Sequence, residues 1–190
     1  MCGIIGISPE NNVAEEIYES LLMLQHRGQD AAGMVVCEPS GKHNSRKSKG
    51  YVRDVFQQNH MSNLQGNFGI GHVRYPTAGG IGKEFAQPMY VNTPYGISLA
   101  HNGNLTNSKK LAAELFHAER RHINTDSDSE VLLNIFALEL SKQEAVFPKP
   151  KDFFAAVEKT HLRINGAYAV VALITGYGIV AFRDPLGIRP

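Results

Sequence analysis

Tryptophan is missing from this 190-residue sequence, and cysteine occurs only twice, at Cys2 and Cys37. Two thiols cannot build a disulfide framework or a four-thiolate metal site, so a reducing compartment, the cytoplasm, is the expected location. Charge imbalance is missing too. Nineteen Lys and Arg against eighteen Asp and Glu leave a formal net charge of +1, which supplies no electrostatic reason to bind nucleic acid or an anionic membrane. No apolar run reaches the length of a membrane span, and "MCGIIGISPEN" lacks the basic start and long apolar core of a signal peptide. The eight histidines are scattered without H-x-x-E-H or related ligand spacing, so no metal site is expected. What remains is an ordinary globular composition, 43% hydrophobic, long enough to bury the core of one domain.

Strand and helix patterns interleave along the chain without a linker or internal repeat. "CGIIGIS" is short and β-branched, a strand candidate. Val13, Ile17, Leu21 and Leu24 then fall on one helical face. "AAGMVVC" reads as a buried strand and the polar "EPSGKHNSRKSKG" as an exposed loop. "FGIGHVRY" and "YGISLAHNG" are further strands. Helices are expected over "LTNSKKLAAELFHAE", after "TDSDSE", where Ser127 and Glu130 form a capping box, and over "DFFAAVEKTHLRI". "AYAVVALITGYGIVAFRD" gives two strands joined at Gly-Tyr-Gly. Strand pairs joined by tight turns favour antiparallel sheets with helices packed outside, an α+β layered domain.

The placement of Cys2 directly behind the initiator methionine carries chemistry. A free cysteine has a pKa of about 8.5 and a chain-terminal amine of about 7.7 to 8.0, so removal of Met1 would leave Cys2 with its own base. Thiol and amine share one Cα, which makes a bridging water the natural relay. This is the logic of an N-terminal nucleophile, in which the α-amine replaces the usual histidine. The bland reading is a small apolar residue at a chain end.

Six segments occur in order: "MCGIIGI", "LQHRGQDAAGM", "GIGHVRYPTAGG", "LAHNGNLTN", "HINTDSDSE" and "FRDPLGIRP". Together they resemble the N-terminal class II glutamine amidotransferase domain of the amidophosphoribosyltransferase family, from Cys2 to Pro190. The resemblance implies a four-layer αββα sandwich of two antiparallel sheets, the N-terminal nucleophile hydrolase fold. It also implies hydrolysis of glutamine to glutamate and ammonia through a thioester on Cys2. Asn102, through its side-chain amide, and Gly103, through its backbone N–H, match the family's oxyanion hole. Arg74, with Thr77 beside it, matches the clamp for the glutamine carboxylate, and Asp128 matches the residue that takes the ammonium. Outside the set, Asn-Gly is most often a tight hairpin turn, and Arg74 and Asp128 would read as a strand-end arginine and a first-turn acid. The family's glutamine loop corresponds to "YPTAGGIGKEFAQ", which here carries Ile81, Lys83 and Phe85 in place of a small, serine-rich version.

Residues 1–190 are therefore expected to be a glutaminase domain, incomplete at its C-terminal end, without the phosphoribosyltransferase domain. In the whole enzyme, a glycosyltransferase of purine biosynthesis, that domain would bind phosphoribosyl pyrophosphate with Mg and use the ammonia. The resemblance further implies a homo-oligomer at full length; no cofactor is expected in this chain, and no iron–sulfur cluster. Alternatives are a glutaminase serving glucosamine-phosphate or asparagine synthesis, a noncatalytic glutamine-binding module, and a thiol redox protein using Cys2.

Overall fold

Alternation along the strands sorts the apolar side chains into three separate cores, and the cores define the layers. The structure, a computed structural model, describes residues 1–8, 11–75, 82–143 and 145–190. One antiparallel sheet contains β1 (Gly3–Ile7), β2 (Ala31–Cys37), β3 (His43–Lys49) and β4 (Phe68–Arg74) in the order β1-β4-β2-β3. A second contains β5 (Met89–Val91), β6 (Ile97–Leu105), β7 (Gly166–Ile174) and β8 (Gly178–Arg183) in sequence order. On β2, Ala32, Met34 and Val36 pack with Ile17 and Leu21 of helix α1 (Ala14–Leu24) and with Val52 and Val55 of the short helix α2 (Val52–Val55), which the short α3 (Gln58–Met61) follows, forming the first core. Val35 and Cys37, one step out of phase, meet Ile70, Ala100 and Leu173 between the two sheets. The third core joins Leu99, Val170 and Ala172 to α4 (Ser108–His117), α5 (Asp128–Ser141) and α6 (Pro150–Arg163). Helix, sheet, sheet, helix is the four-layer sandwich implied by the sequence.

Helix α5 is buried almost all round, from Val131 to Leu140, because it lies on the second sheet and is itself covered by α4 and α6. Its start differs in one detail from the sequence expectation. Ser127 caps the Ser129 N–H, but Glu130 turns outward and accepts from Asn124, Thr125 N–H and the Thr125 hydroxyl. The capping box is thus half made, and Glu130 ties down the preceding loop instead.

Two local expectations are corrected. The polar stretch read as an exposed loop contains β3, paired over its whole length with β2. It is an edge strand with polar residues on both faces, so it lacks the hydrophobic alternation that marks a half-buried strand. The "HNG" sequence is not a hairpin turn. It lies inside the nine-residue strand β6, with Asn102 opposite Ala169 and Gly103 opposite Tyr168.

Gly33 of β2 shows how closely the last residue of the glutamine loop, Gln87, is seated. A Cβ placed there would lie 1.9 Å from the backbone oxygen of Gln87. A backbone carbonyl cannot swing aside like a side-chain tip, so Gly33→Ala is expected to lower stability by at least about 2 kcal/mol. Denaturant unfolding at unchanged m-value is the check; unchanged stability would show that the segment is not held against β2.

Candidate active site

Strand parity brings the site together. Cys2 precedes β1 in the same phase as Ile4, and Arg74 ends β4 in the same phase as Ile70, so both face the space between the sheets. Cys2 is buried, and the Arg27 guanidinium donates to its backbone carbonyl at 3.1 Å, fixing this near-terminal residue from α1's C-terminal side. The Tyr75 N–H donates to Cys2 Sγ at 3.4 Å, while Sγ faces the Tyr75 carbonyl at 3.7 Å. Burial pushes the Cys2 thiol up, and the Tyr75 bond, the chain-terminal ammonium and Arg74 oppose that rise.

Cys2 borders two cavities. One, of about 180 Å³, is lined with Cys2 by Ile4, Leu24, Arg27, Asn102 and Pro190. The other is polar and narrow, about 20 Å³, and includes Arg74, Gln87, His101, Gly103, Asp128 and Ser129. That is room for about one water. A larger cavity of about 380 Å³ opens between His43, Lys47, Pro88 and Tyr90. It contains none of the sequence-predicted site residues, and the converging chemistry, not the volume, identifies the site.

Of the predicted residues, Cys2, Asn102, Gly103, Arg74 and Asp128 are brought together; Thr77 and Ile81 lie outside the described residues. Asn102 and Gly103 are consecutive on β6, and each lines one of the two cavities that Cys2 borders. Gly103 has to be glycine: a Cβ would lie 2.2 Å from the Ala167 oxygen and 2.7 Å from His101 Nε2. The Asp128 carboxylate sits in the first turn of α5 and accepts the Leu105 N–H through Oδ2 at 2.9 Å, which holds α5 to the end of β6. Arg74 is buried, ion-paired with Asp30 and positioned over the ring of Phe85 at 5.4 Å. Phe85, counted in the sequence among the residues of the loop, is a buried platform under the clamp.

Sequence reasoning missed Arg27, Asp30, Gln87 and Ser129. Asp30 and Arg27 sit within "HRGQDAAG", which had pointed to the family without a role for either residue. The "DPLGIRP" segment was similarly unassigned. Burial pushes the Asp184 carboxyl up, but backbone N–H bonds from Ile188, Arg189, Tyr168 and Leu186 together outweigh burial and hold it below the usual carboxylate range. This knot sets Pro190 against the Cys2 cavity. Among the described residues, no three His, Cys, Asp or Glu side chains are grouped so as to hold a metal ion, and no helix is long and apolar enough to cross a membrane.

Residues 82–190 match the family described as "Glutamine amidotransferase domain". The amidophosphoribosyltransferase of Pseudomonas aeruginosa is 60% identical over 190 residues, covering 100% of this chain and 38% of that protein. That of Saccharomyces cerevisiae is 50% identical over 193 residues, with the same two shares. Among solved structures, glutamine phosphoribosylpyrophosphate amidotransferase from B. subtilis, complexed with ADP and GMP, superposes with a TM-score of 0.82 at 30% identity, over 100% of this chain and 38% of that one. The chain thus spans little more than a third of the length of these relatives.

Proposed function

The chain belongs to the glutamine amidotransferase domain family, and on that premise we propose that it hydrolyses glutamine to glutamate and ammonia, with Cys2 as nucleophile after loss of Met1. The observation that carries this reading is that Cys2 lines two cavities, one shared with Arg74, Gly103 and Asp128 and the other with Asn102. A fixed cation and a fixed anion suit the carboxylate and ammonium of a free amino acid. Sγ attacks the side-chain amide carbon, and negative charge develops on the amide oxygen. The Asn102 side-chain amide and the Gly103 N–H stabilise that oxygen. The Cys2 α-amine takes the thiol proton through water and returns it to the leaving nitrogen, so that ammonia departs and a thioester remains. Water then attacks the thioester, releasing glutamate and restoring the thiol.

In the full-length protein, the ammonia would pass to a phosphoribosyltransferase domain that uses phosphoribosyl pyrophosphate with Mg, the first step of purine biosynthesis, in a cytoplasmic homo-oligomer. The names of the relatives favour this acceptor over glucosamine-phosphate or asparagine synthesis.

Purified chain incubated with L-glutamine should release glutamate and ammonia in equal amounts, and its intact mass should lack one methionine. Asn102→Ala should lower turnover by about 10²- to 10³-fold with little change in KM, because its donor matters most in the transition state. Absence of glutamate from folded, Met1-free protein would reject hydrolysis and leave a glutamine-binding module.

A further inference from the structure

The basic stretch "KHNSRKSKG", which the proposed chemistry leaves unused, forms one rim of the first sheet. Between Glu38 and Asp54 the chain carries Lys42, Arg46, Lys47, Lys49 and Arg53 and no acid. β3 is the last strand of its sheet and pairs with β2 alone. Its phase is set by the bonds that flank the pairing, from the Glu38 N–H to the Lys42 carbonyl and from the Gly50 N–H to the Asp30 carbonyl, both 2.9 Å. Asn44, Arg46 and Ser48 therefore turn their backbone groups toward β2, and His43, Ser45 and Lys47 turn theirs to the open edge. Among the described residues, none of those outward N–H and C=O groups has a protein partner. A cavity lies on each face of this edge, and His43 and Ser45 line both. Toward the second sheet, the cavity of about 380 Å³ includes Lys47, Tyr90 and Val35. Toward the helices, a cavity of about 260 Å³ includes Arg46, His60 and Leu64. Arg46 Nε donates to the Val55 carbonyl at 3.1 Å and Lys47 Nζ to the Pro88 carbonyl at 2.9 Å. Among the described residues neither cation has an ion-pair partner, since Glu38 is committed to Lys42 and Asn44, and Glu130, which acts on Lys47 through space, to the Asn124 and Thr125 N–H groups.

We propose that the open edge of β3 is a docking site for an extended, acidic segment of a partner protein, which joins the first sheet as a fifth strand. Backbone bonds to His43, Ser45 and Lys47 hold the added strand. Its successive side chains point to opposite faces, so two neighbouring acids enter the two cavities, one meeting Lys47 and the other Arg46. Charge selects the partner. Each cation is bonded to a neutral carbonyl only, and a carboxylate gives it a stronger, charge-assisted bond. A second copy of this chain is a poor occupant, because β3 laid against β3 sets cations opposite cations, the means by which lysine-rich edges resist self-pairing. The proposal goes beyond glutamine hydrolysis and does not depend on it, since Cys2, Arg74 and Asp128 take no part.

The probe is a capped, fluorescein-labelled peptide, Thr-Val-Glu-Glu-Val-Thr, whose two glutamates face opposite sides when it is extended. Fluorescence anisotropy should show saturable binding with a Kd of about 1 mM or tighter. The same peptide with glutamine at both central positions should bind about tenfold more weakly, and Arg46→Gln and Lys47→Gln in the protein should each weaken the acidic peptide about threefold. N-methylation at both glutamates keeps the charge but blocks the edge whichever of the two N–H groups faces it, and should weaken binding about tenfold or more. Amide hydrogen exchange locates the contact. Saturating peptide should slow exchange at Ser45 and Lys47 about tenfold or more, and leave Asn44 and Arg46, already bonded to β2, within about twofold. Binding that N-methylation leaves unchanged would make the rim a patch for any polyanion. Dimerisation that protects Ser45 without peptide would make the occupant a second copy. Either result overturns the proposal, as does the absence of binding at about 1 mM peptide.

Discussion

Cys2→Ala is expected to abolish glutamine hydrolysis, a loss of at least about 10⁴-fold, because the covalent route disappears and no other thiol can replace it. Cys37, the second cysteine, is fully buried between the sheets, its thiol directed to the Glu38 carbonyl at 3.4 Å. Burial also pushes its pKa up, so Cys37→Ala should retain near-normal kcat. The contrast separates a nucleophile from a generally thiol-dependent fold. Burial raises the Cys2 thiol as well, which means that less thiolate is present at neutral pH and that alkylation of Cys2 by iodoacetamide should accelerate as pH rises above 7. Turnover need not follow that rise, since the proposed α-amine removes the proton during attack. Residual hydrolysis by Cys2→Ala at more than about a hundredth of the normal rate would rule out the thioester route.

What was legible in the sequence divides along a physical line. Residues that touch substrate in the proposed mechanism lie in short segments, "MCG", "HVRY", "AHNG" and "TDSD", and these could be read because the segments together resemble a known family; taken singly, all but Cys2 read as a turn, a strand-end arginine and a first-turn acid. The groups that support them are spread over long sequence separations: Arg74 with Asp30, Gln87 with Ser129, Arg27 with Cys2. No hydrophobic period encodes such pairs; they exist only once two sheets and α5 have met. The same limit explains β3. Its residues His43, Ser45 and Lys47 alternate with Asn44, Arg46 and Ser48, all polar, so pattern reading sees a loop where pairing with β2 makes a strand. The long helices α1, α4, α5 and α6 and the other main strands had buried apolar faces to declare them. His101, by contrast, was visible in "AHNG", but its partners Gln87 and Ser129 lie 14 and 28 residues away and no local pattern announces them.

The pairing of Arg74 with Asp30 gives the second large effect. Both side chains are nearly out of solvent, 6% and 13% exposed, so removing Asp30 takes a carboxylate partner from a desolvated guanidinium. Asp30→Ala is therefore expected to cost about 3 kcal/mol of stability or more, measured by denaturant unfolding. It should also raise the KM for glutamine, because Asp30 fixes the guanidinium over Phe85 and so determines which edge of the fork meets the substrate carboxylate. Stability and binding come apart in the double variant. Replacing both charges, Arg74→Met with Asp30→Leu, removes the desolvated pair and should restore most of the lost stability, since apolar packing competes well with a buried ion pair. It cannot restore a cation to the site, so glutamine binding should remain impaired by about a hundredfold, as expected when a charged substrate group is left without its partner. If the double variant were stable and bound glutamine normally, Arg74 would be a structural ion-pair partner of Asp30 and the carboxylate clamp would have to lie elsewhere.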